Sequence, residues 1–300
     1  MNTINRRRLL SWTALFLTSC TGARVSEPAP DSSNPASLSV NLPDVIYFTD
    51  TGAIGSEVLE NDFGVFCNVL SEALDRNVEL VVLEDQVSAA LLLKEGKVDI
   101  ALAGPSEYVV IKARTNAQPI LELTRPDYRS IFVTKAGSDI KAIADLKGRK
   151  LALSDIGSTS GHLGPIQMLV EAGLNPQTDL VVQMLGDDGS VAALQTDQVD
   201  VWGGSSGDYA DLVGDNPDGF VILQEGELLP NDIFIAGSHL PSEVVEAIAT
   251  IMKANEASII EAVASKQSKY VGSELLPSDD ANYASIREAY KATGQGDFLR

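Results

Sequence analysis

The sequence predicts an α/β protein in two lobes, each with a mostly parallel β-sheet flanked by helices. Short apolar runs typical of strands alternate with longer segments in which apolar residues recur at helical spacing, and this alternation favours parallel sheets. The chain has 300 residues, more than one compact core usually needs, which indicates two lobes. Its apolar content of 44% is ordinary for a globular chain.

The first part of the chain predicts strands and helices in turn. The strand at 78–83 is typical, since it is rich in β-branched residues and alternates in polarity. The predicted strands are 45–49, 78–83, 98–103, 120–123 and 130–134, and the predicted helices are 57–74, 86–94 and 106–115. Ligands of such sheets bind at the carboxyl ends of the strands. Residues 49–56, 85–86 and 104–106 are therefore expected on one rim.

The second part continues the pattern. Leu151–Leu153 is an apolar run bounded by polar residues, which favours a buried strand. From Pro165 the apolar residues recur at helical spacing, and Gly173 and Pro176 end the helix.

Between the strand at 151–153 and the helix after Pro165 lies a turn with three consecutive hydroxyls, Ser158, Thr159 and Ser160. A helix start offers unpaired N–H groups and the positive end of the helix dipole, which suits a small tetrahedral oxyanion. Gly161 would let a ligand approach the backbone closely. A plain Ser or Thr N-cap would explain one hydroxyl equally well, so both interpretations stay open here.

Several motifs extend this pattern. Residues 145–150 read Asp-Leu-Lys-Gly-Arg-Lys, 157–161 read Gly-Ser-Thr-Ser-Gly, and 97–101 read Lys-Val-Asp-Ile-Ala before a Gly-Pro turn. Together they resemble the phosphonate- and phosphite-binding components of ABC importers, from about residue 45 to beyond 263. The resemblance implies a type II periplasmic-binding-protein fold with a hinge of two crossing strands. For the second part of the chain it implies strands at 180–185 and 199–202 and helices from 190 and at 207–213. The chain would then return near 224–235, and helices at 242–264 and 279–293 would complete lobe one. The resemblance also implies a small phosphorus oxyanion (phosphonate, phosphite or phosphate) in the cleft between the lobes, and an ABC permease and ATPase complex as partners.

The predicted domain boundaries follow from the N-terminus and the resemblance. Residues 1–19 carry three arginines and a short apolar stretch, typical of a lipoprotein signal peptide, and Cys20 ends a lipobox-like Leu-Thr-Ser-Cys. A lipid on Cys20 would anchor the chain to the inner membrane on the periplasmic side; the alternative is an uncleaved signal with an ordinary thiol. Residues 20–43 read as a flexible tether. Lobe one is predicted at 44–132 and 228–300, and lobe two at 133–227.

The resemblance also implies ligand-binding side chains. Ser158, Thr159 and Ser160 match the family's hydroxyl motif, and Tyr128 matches a tyrosine whose hydroxyl contacts the oxyanion. Asp232 matches an acid that reads the amine of aminoalkylphosphonates. From the residues alone, Tyr128 would be a packed aromatic at a strand start and Asp232 a solvated turn residue.

Three positions depart from the family pattern. Gln86 replaces a second cleft tyrosine, Asp187 stands where the family has a phosphonate-binding histidine, and the second amine-reading acid falls at about Gly207. A carboxylate cannot donate to a dianion, so Asp187 favours a ligand that still carries a P–OH group. This predicts phosphite, phosphate or methylphosphonate rather than aminoethylphosphonate, unless Asp187 points to water.

Charge and composition exclude other classes. The net charge of −20 argues against nucleic acid as a partner. The chain has no Walker loop, no redox cysteine pair and no metal-ligand spacing for His162 and His239, so no cofactor or metal is expected. His162 could cap its helix or contact ligand, and His239 is expected in solvent. The lack of a nucleophile–base pair argues against an enzyme, and a sensor presenting ligand to a membrane histidine kinase is the alternative function.

Overall fold

The computed structural model of the protein describes residues 40–85, 88–214, 216–294 and 296–299. The predicted signal peptide, Cys20 and Gln86 lie outside these residues. Of the predicted tether only 40–43 is described, and Leu42 there is already buried in a hydrophobic core. The folded region therefore extends N-terminal to residue 44.

The described chain alternates strands and helices, and its strands form two sheets. The strands are β1 (Val45–Asp50), β2 (Asn77–Leu80), β3 (Ile100–Ala103), β4 (Gln118–Leu123), β5 (Arg129–Lys135), β6 (Lys150–Leu153), β7 (Val181–Met184), β8 (Val201–Ser205), β9 (Phe220–Leu228), β10 (Asp232–Ala236) and β11 (Leu275–Pro277). The α-helices are α1 (Ser56–Leu74), α2 (Ser88–Lys94), α3 (Pro105–Thr115), α4 (Gly164–Glu171), α5 (Gly186–Gln195), α6 (Tyr209–Val213), α7 (Ser242–Ala254), α8 (Glu256–Ala264) and α9 (Ala284–Ala292).

Within the described residues, one sheet has the strand order β11-β4-β10-β3-β1-β2 and the other β7-β6-β8-β5-β9. The two-sheet α/β class is confirmed, but each sheet is mixed rather than mostly parallel. In the first sheet β1 pairs in parallel with β2 and β3, whereas β10 is antiparallel to β3 and β4. In the second, β6 is parallel to β7 and β8, whereas β5 is antiparallel to β8 and β9. The strands β5 and β10 each follow directly after a strand of the other sheet, so no crossover helix leads into them.

The chain passes between the two sheets at residues 124–128 and 229–231, which we call the crossing segments. They lie between strands rather than within them, so the predicted crossing strands are short loops. The Leu229 N–H donates to the Tyr128 carbonyl at 2.9 Å, which joins the two segments. Beside them the buried Glu122 carboxylate accepts from the side-chain amides of Asn231 and Asn282. These bonds fix where the two sheets meet; the exact lobe boundaries stay a prediction.

The core of the first sheet depends on the amphipathic helix α1. Its buried residues recur three or four positions apart and cover β1 and β10; they are Leu59, Phe63, Phe66, Cys67, Leu70 and Leu74. Cys67 is a buried free thiol. Burial raises the pKa of this thiol to about 12, so it is unreactive at neutral pH.

Three local predictions are wrong. The predicted helix 242–264 is two helices, because the chain leaves helical geometry at Asn255, whose side chain donates to the Ile251 carbonyl. The helix predicted from residue 190 begins at Gly186, which places Asp187 in its first turn. His239 is not simply solvated, since its Nε2 lies 2.8 Å from the Asp99 carboxylate.

Candidate binding site in the cavity between the sheets

A cavity of about 500 Å³ is lined by residues of both sheets. The carboxyl ends of β1, β3, β6 and β8 border it, as does the start of β10. This is where ligands bind in α/β sheets. Of the predicted rim, Asp50 to Gly52 and Gly104 to Pro105 line the cavity.

The hydroxyl row, Ser158, Thr159 and Ser160, lines this cavity. It follows β6 and opens a π-helical turn, Thr159–Leu163, that continues into α4. Gly157 adopts a φ of +94°, which favours glycine, and its N–H donates to Nδ1 of the buried His162 at 3.1 Å. His162 therefore caps the turn, one of the two roles expected for it. Gly161 packs so closely on Ser154 that a Cβ there would lie 2.4 Å from the Ser154 Cβ.

Only one hydroxyl of the row acts as an N-cap. The Ser158 Oγ accepts from the Gly161 N–H at 3.2 Å. The Thr159 Oγ1 instead accepts from the Ser106 N–H at 3.1 Å, and so links the row to the first turn of α3 beside the other sheet. An accepting hydroxyl keeps its own hydrogen for a further partner. The row can therefore donate to an anion while it holds this geometry.

Tyr128 is buried at the end of the first crossing segment, as a packed aromatic would be, and it also lines the cavity. Contact of its hydroxyl with a ligand stays a prediction. Burial raises the pKa of its phenol to about 12, while Arg125 and the Ser160 side chain oppose that shift. Its hydroxyl stays protonated near neutral pH and can donate to a ligand. Arg125 and Ser160 both lie close to this ring.

The two predicted acids also line the cavity, in different surroundings. Asp187 is exposed in the first turn of α5, and its Oδ1 accepts a short hydrogen bond from the Ser154 hydroxyl. Asp232 is not a solvated turn residue, because it is 3% exposed at the start of β10. Its Oδ2 accepts from the Tyr270 hydroxyl at 2.6 Å. Gly207 itself does not line the cavity, but its neighbour Asp208 does.

Most of the cavity's charged groups were not among the predicted binding residues: Asp50, Glu107, Arg114, Arg125, Asp155, Asp208 and Lys269. Asp50 lies within the predicted rim and Glu107 directly follows it, so their positions along the chain were an available signal. Burial raises the pKa of Glu107 and raises that of Asp50 to about 6. The cavity therefore combines hydroxyl and N–H donors with several acids whose negative charge is disfavoured. Across the described residues, no group of three or more His, Cys, Asp or Glu side chains is arranged to hold a metal ion.

The raised pKa of Asp50 should make the stability of the protein depend on pH, and this can be measured. Its pKa is about 6 in the folded chain against 3.8 ordinarily, so between these values the folded chain binds more protons than the unfolded chain. The contribution of Asp50 to the free energy of unfolding then falls as pH rises through this window, by up to about 3 kcal/mol. Asp50→Asn keeps an oxygen that can accept from the Gly52 and Ala53 N–H groups. We expect urea unfolding at pH 4 and pH 7 to show a weaker loss in this variant than in the wild type.

The matched control is Asp218→Asn, which changes an exposed acid outside the cavity. It should leave the pH dependence of unfolding as in the wild type. Parallel pH profiles for Asp50→Asn and the wild type would contradict the assignment of a raised pKa to Asp50.

A family model described as "ABC transporter, phosphonate, periplasmic substrate-binding protein" matches residues 53–276. The chain belongs to this family. It is thus a substrate-binding protein of an ABC transporter and not an enzyme, with a small-molecule ligand and a permease and ATPase as partners. The phosphonate-binding family is periplasmic, and in the described part of this member no helix is long and apolar enough to cross a membrane.

Individual proteins are similar to this chain over most of its length. The chain is 25% identical over 311 residues to the phosphate-import protein PhnD of Mycolicibacterium smegmatis, covering 94% of this chain and 93% of that one. Its fold is similar to that of PhnD1 from Prochlorococcus marinus in complex with methylphosphonate, with a TM-score of 0.66, 18% identity and coverage of 84% and 99%. It is also similar to XAC2383 from Xanthomonas citri bound to ATP, with a TM-score of 0.70, 17% identity and coverage of 85% and 98%.

Proposed function

We propose that the protein binds a small phosphorus oxyanion in the cavity between its sheets and delivers it to the permease. The observation that carries this proposal is the convergence of the hydroxyl row and the first turn of α3, joined by the Ser106–Thr159 hydrogen bond. The row offers hydroxyl donors, and helix starts favour negative charge. The Mycolicibacterium relative is named for phosphate import and the Prochlorococcus structure contains methylphosphonate, which supports this class of ligand.

The surroundings of the row favour a monoanion. Asp187 lines the cavity at the helix start where the resemblance implies a histidine, and a carboxylate there repels a dianion but accepts from a P–OH group. We therefore propose phosphite, phosphate or methylphosphonate as the ligand rather than aminoethylphosphonate. The hydroxyls that donate to this ligand are those of Ser158, Thr159, Ser160 and Tyr128. Asp232 and Gln86 are the other predicted contacts.

Ligand capture would bring the two sheets together about the crossing segments. The cavity has walls from both sheets, and the connections between those sheets at 124–128 and 229–231 are short. Such a layout supports hinge closure, in which loop residues absorb the backbone change. The closed form would then dock on the permease.

We propose further that residues 1–19 are removed and that Cys20 carries a lipid that holds the protein at the inner membrane. The support is the basic start, the short apolar stretch and the lipobox-like sequence. Cells expressing the chain and fed a labelled fatty acid should label the wild type and not Cys20→Ala. Equal labelling of both would exclude this anchor.

The test of the ligand is isothermal titration and thermal shift with phosphite, phosphate, methylphosphonate, aminoethylphosphonate and sulfate. A ligand at 100 times its Kd adds about 2.7 kcal/mol to the free energy of unfolding, which is easily detected. We expect at least one of the first three to bind more tightly than aminoethylphosphonate and sulfate. Binding of none of the phosphorus compounds would exclude the proposed function.

A further inference from the structure

A buried pair of opposite charges, Arg125 and Asp232, lines the cavity next to Tyr128. Arg125 lies in the first crossing segment, and its guanidinium carbon is 3.5 Å from the centre of the Tyr128 ring. The Arg125 side chain is 17% exposed and that of Asp232 is 4% exposed. Stacking on an aromatic face fixes the plane of the guanidinium, so this cation is held in place rather than mobile.

Arg125 and Asp232 do not form a direct hydrogen bond with each other. Arg125 Nη1 and Asp232 Oδ1 are 3.7 Å apart, which is too long for a hydrogen bond. Tyr270 already occupies the other oxygen, Oδ2. Within the described residues, Oδ1 is the one buried side-chain polar atom that lacks a hydrogen-bond partner. A buried acceptor left without a donor is costly, which indicates that a ligand fills this position.

The separation suits one bridging oxygen. An oxygen about 2.9 Å from the guanidinium nitrogen and about 2.7 Å from the carboxylate oxygen makes normal hydrogen bonds to both. That atom must accept from Arg125 and donate to Asp232, which is the chemistry of a hydroxyl. An ammonium group has only donors, and it would lie beside the charge of Arg125. A fully ionised oxyanion has only acceptors, and it would face the charge of Asp232.

The acids around the pair act in the same direction. A Cβ placed on Gly104 would lie 2.6 Å from Glu107 Oε2 and 3.9 Å from Asp232 Oδ1, so two carboxyls approach the same point. Among the described residues, six acids and only three cations line the cavity: Asp50, Glu107, Asp155, Asp187, Asp208 and Asp232 against Arg114, Arg125 and Lys269. Because the acids outnumber the cations, a neutral hydroxyl on the ligand is more favourable there than a second negative charge.

We infer that Arg125 and Asp232 form a subsite for the acidic hydroxyl of a singly charged phosphorus oxyanion, and that Arg125 makes Asp232 unsuited to an amine. A methylphosphonate monoanion has one P–OH hydrogen, so Asp232 accepts it here and Asp187 contributes by repelling a dianion. This subsite rests on the proposed function and specifies its substrate class as P–OH monoanions. It assigns Asp232 a role different from the amine reading that the family resemblance implies. Arg125 becomes a specificity-determining residue.

The first test needs no variant. Methylphosphonate and its monomethyl ester can both carry one negative charge, but the ester anion has no P–OH hydrogen. We expect titration of the full-length folded protein to show the ester binding at least about 10-fold more weakly, since a hydrogen bond to a charged group is lost. Ethylphosphonate, which is also one carbon larger but keeps its acidic hydroxyls, controls for size. Equal affinity for methylphosphonate and the ester would overturn the inference.

The second test uses Arg125→Gln with Arg149→Gln as the control, because Arg149 pairs with Asp139 and does not line the cavity. Removal of Arg125 should shift the ratio of affinities for aminoethylphosphonate and methylphosphonate at least about 10-fold towards the amine. Arg149→Gln should leave the ratio unchanged. Thermal unfolding establishes that each variant is folded before titration.

The outcomes separate the two proposals. A wild type that binds none of these phosphorus compounds contradicts the proposed function itself. A wild type that binds methylphosphonate, together with a folded Arg125→Gln variant of unaltered ratio, contradicts only the Arg125–Asp232 subsite.

Discussion

Replacing Ser158 and Thr159 together by alanine is expected to weaken binding of the phosphorus oxyanion by at least about 100-fold. Each lost hydrogen bond to a charged ligand is worth about 1.5–3 kcal/mol, and two are removed. The Thr159 hydroxyl also accepts from the Ser106 N–H, so its loss separates the row from the first turn of α3. Isothermal titration with the best ligand of the wild type measures the change.

Stability must be measured beside affinity in this variant. The Ser158 hydroxyl caps the Gly161 N–H, and loss of an N-cap costs about 1 kcal/mol of the free energy of unfolding. Thr196→Ala is the control, since it removes an exposed hydroxyl on α5 that bonds the Ala192 carbonyl outside the cavity. A folded double variant that binds with wild-type affinity would show that the row does not contact the ligand.

Local patterns in the sequence, together with the family resemblance, predicted most of the strands and helices in their order, but the short strand β11 was not predicted. The apolar run at Leu151–Leu153 and the helical spacing of α1 depend on neighbouring residues, and both elements were predicted within one residue of their observed bounds. The strand directions were not predicted, because the antiparallel position of β10 between β3 and β4 depends on where the chain crosses between sheets. The break at Asn255 was missed because the apolar periodicity continues across it.

The candidate site was predicted in part for the same reason. The hydroxyl row is contiguous in sequence, so it was visible, and it does line the cavity. The Arg125–Asp232 pair was not visible, since Arg125 lies in the first crossing segment and Asp232 starts β10, more than 100 residues later, so they meet only when β10 joins the first sheet. The burial that raises the pKa of Asp50 and Glu107 is likewise a property of the assembled cavity.

The two kinds of residue also serve different purposes. Under the proposed function, a contiguous row on one turn can capture an anion while the sheets are apart. Arg125 on the first crossing segment and Asp232 at the start of β10 are instead placed to read the ligand where the sheets meet. Affinity should therefore depend chiefly on the row and selectivity chiefly on the pair. The alanine variants of the row and the glutamine variant of Arg125 separate these contributions.

Replacing Phe66 by alanine should have the largest effect on stability, a loss of about 3–5 kcal/mol in the free energy of unfolding. The Phe66 ring is fully buried on α1. Its centre lies 4.9 Å from that of Phe48 on β1 and 5.6 Å from that of Phe234 on β10, on which it stacks. Its removal leaves a cavity where one helix meets two strands, and the surrounding rings cannot all move to fill it.

Urea unfolding of Phe66→Ala and Val65→Ala provides the measurement and its control, because Val65 is the next residue on the same helix but is 43% exposed. The valine variant should change the free energy of unfolding by less than about 0.5 kcal/mol. Phe66 does not line the cavity between the sheets, so the folded fraction of Phe66→Ala should bind ligand with wild-type affinity. A small loss of stability in both variants would mean that α1 does not pack on the first sheet through this ring.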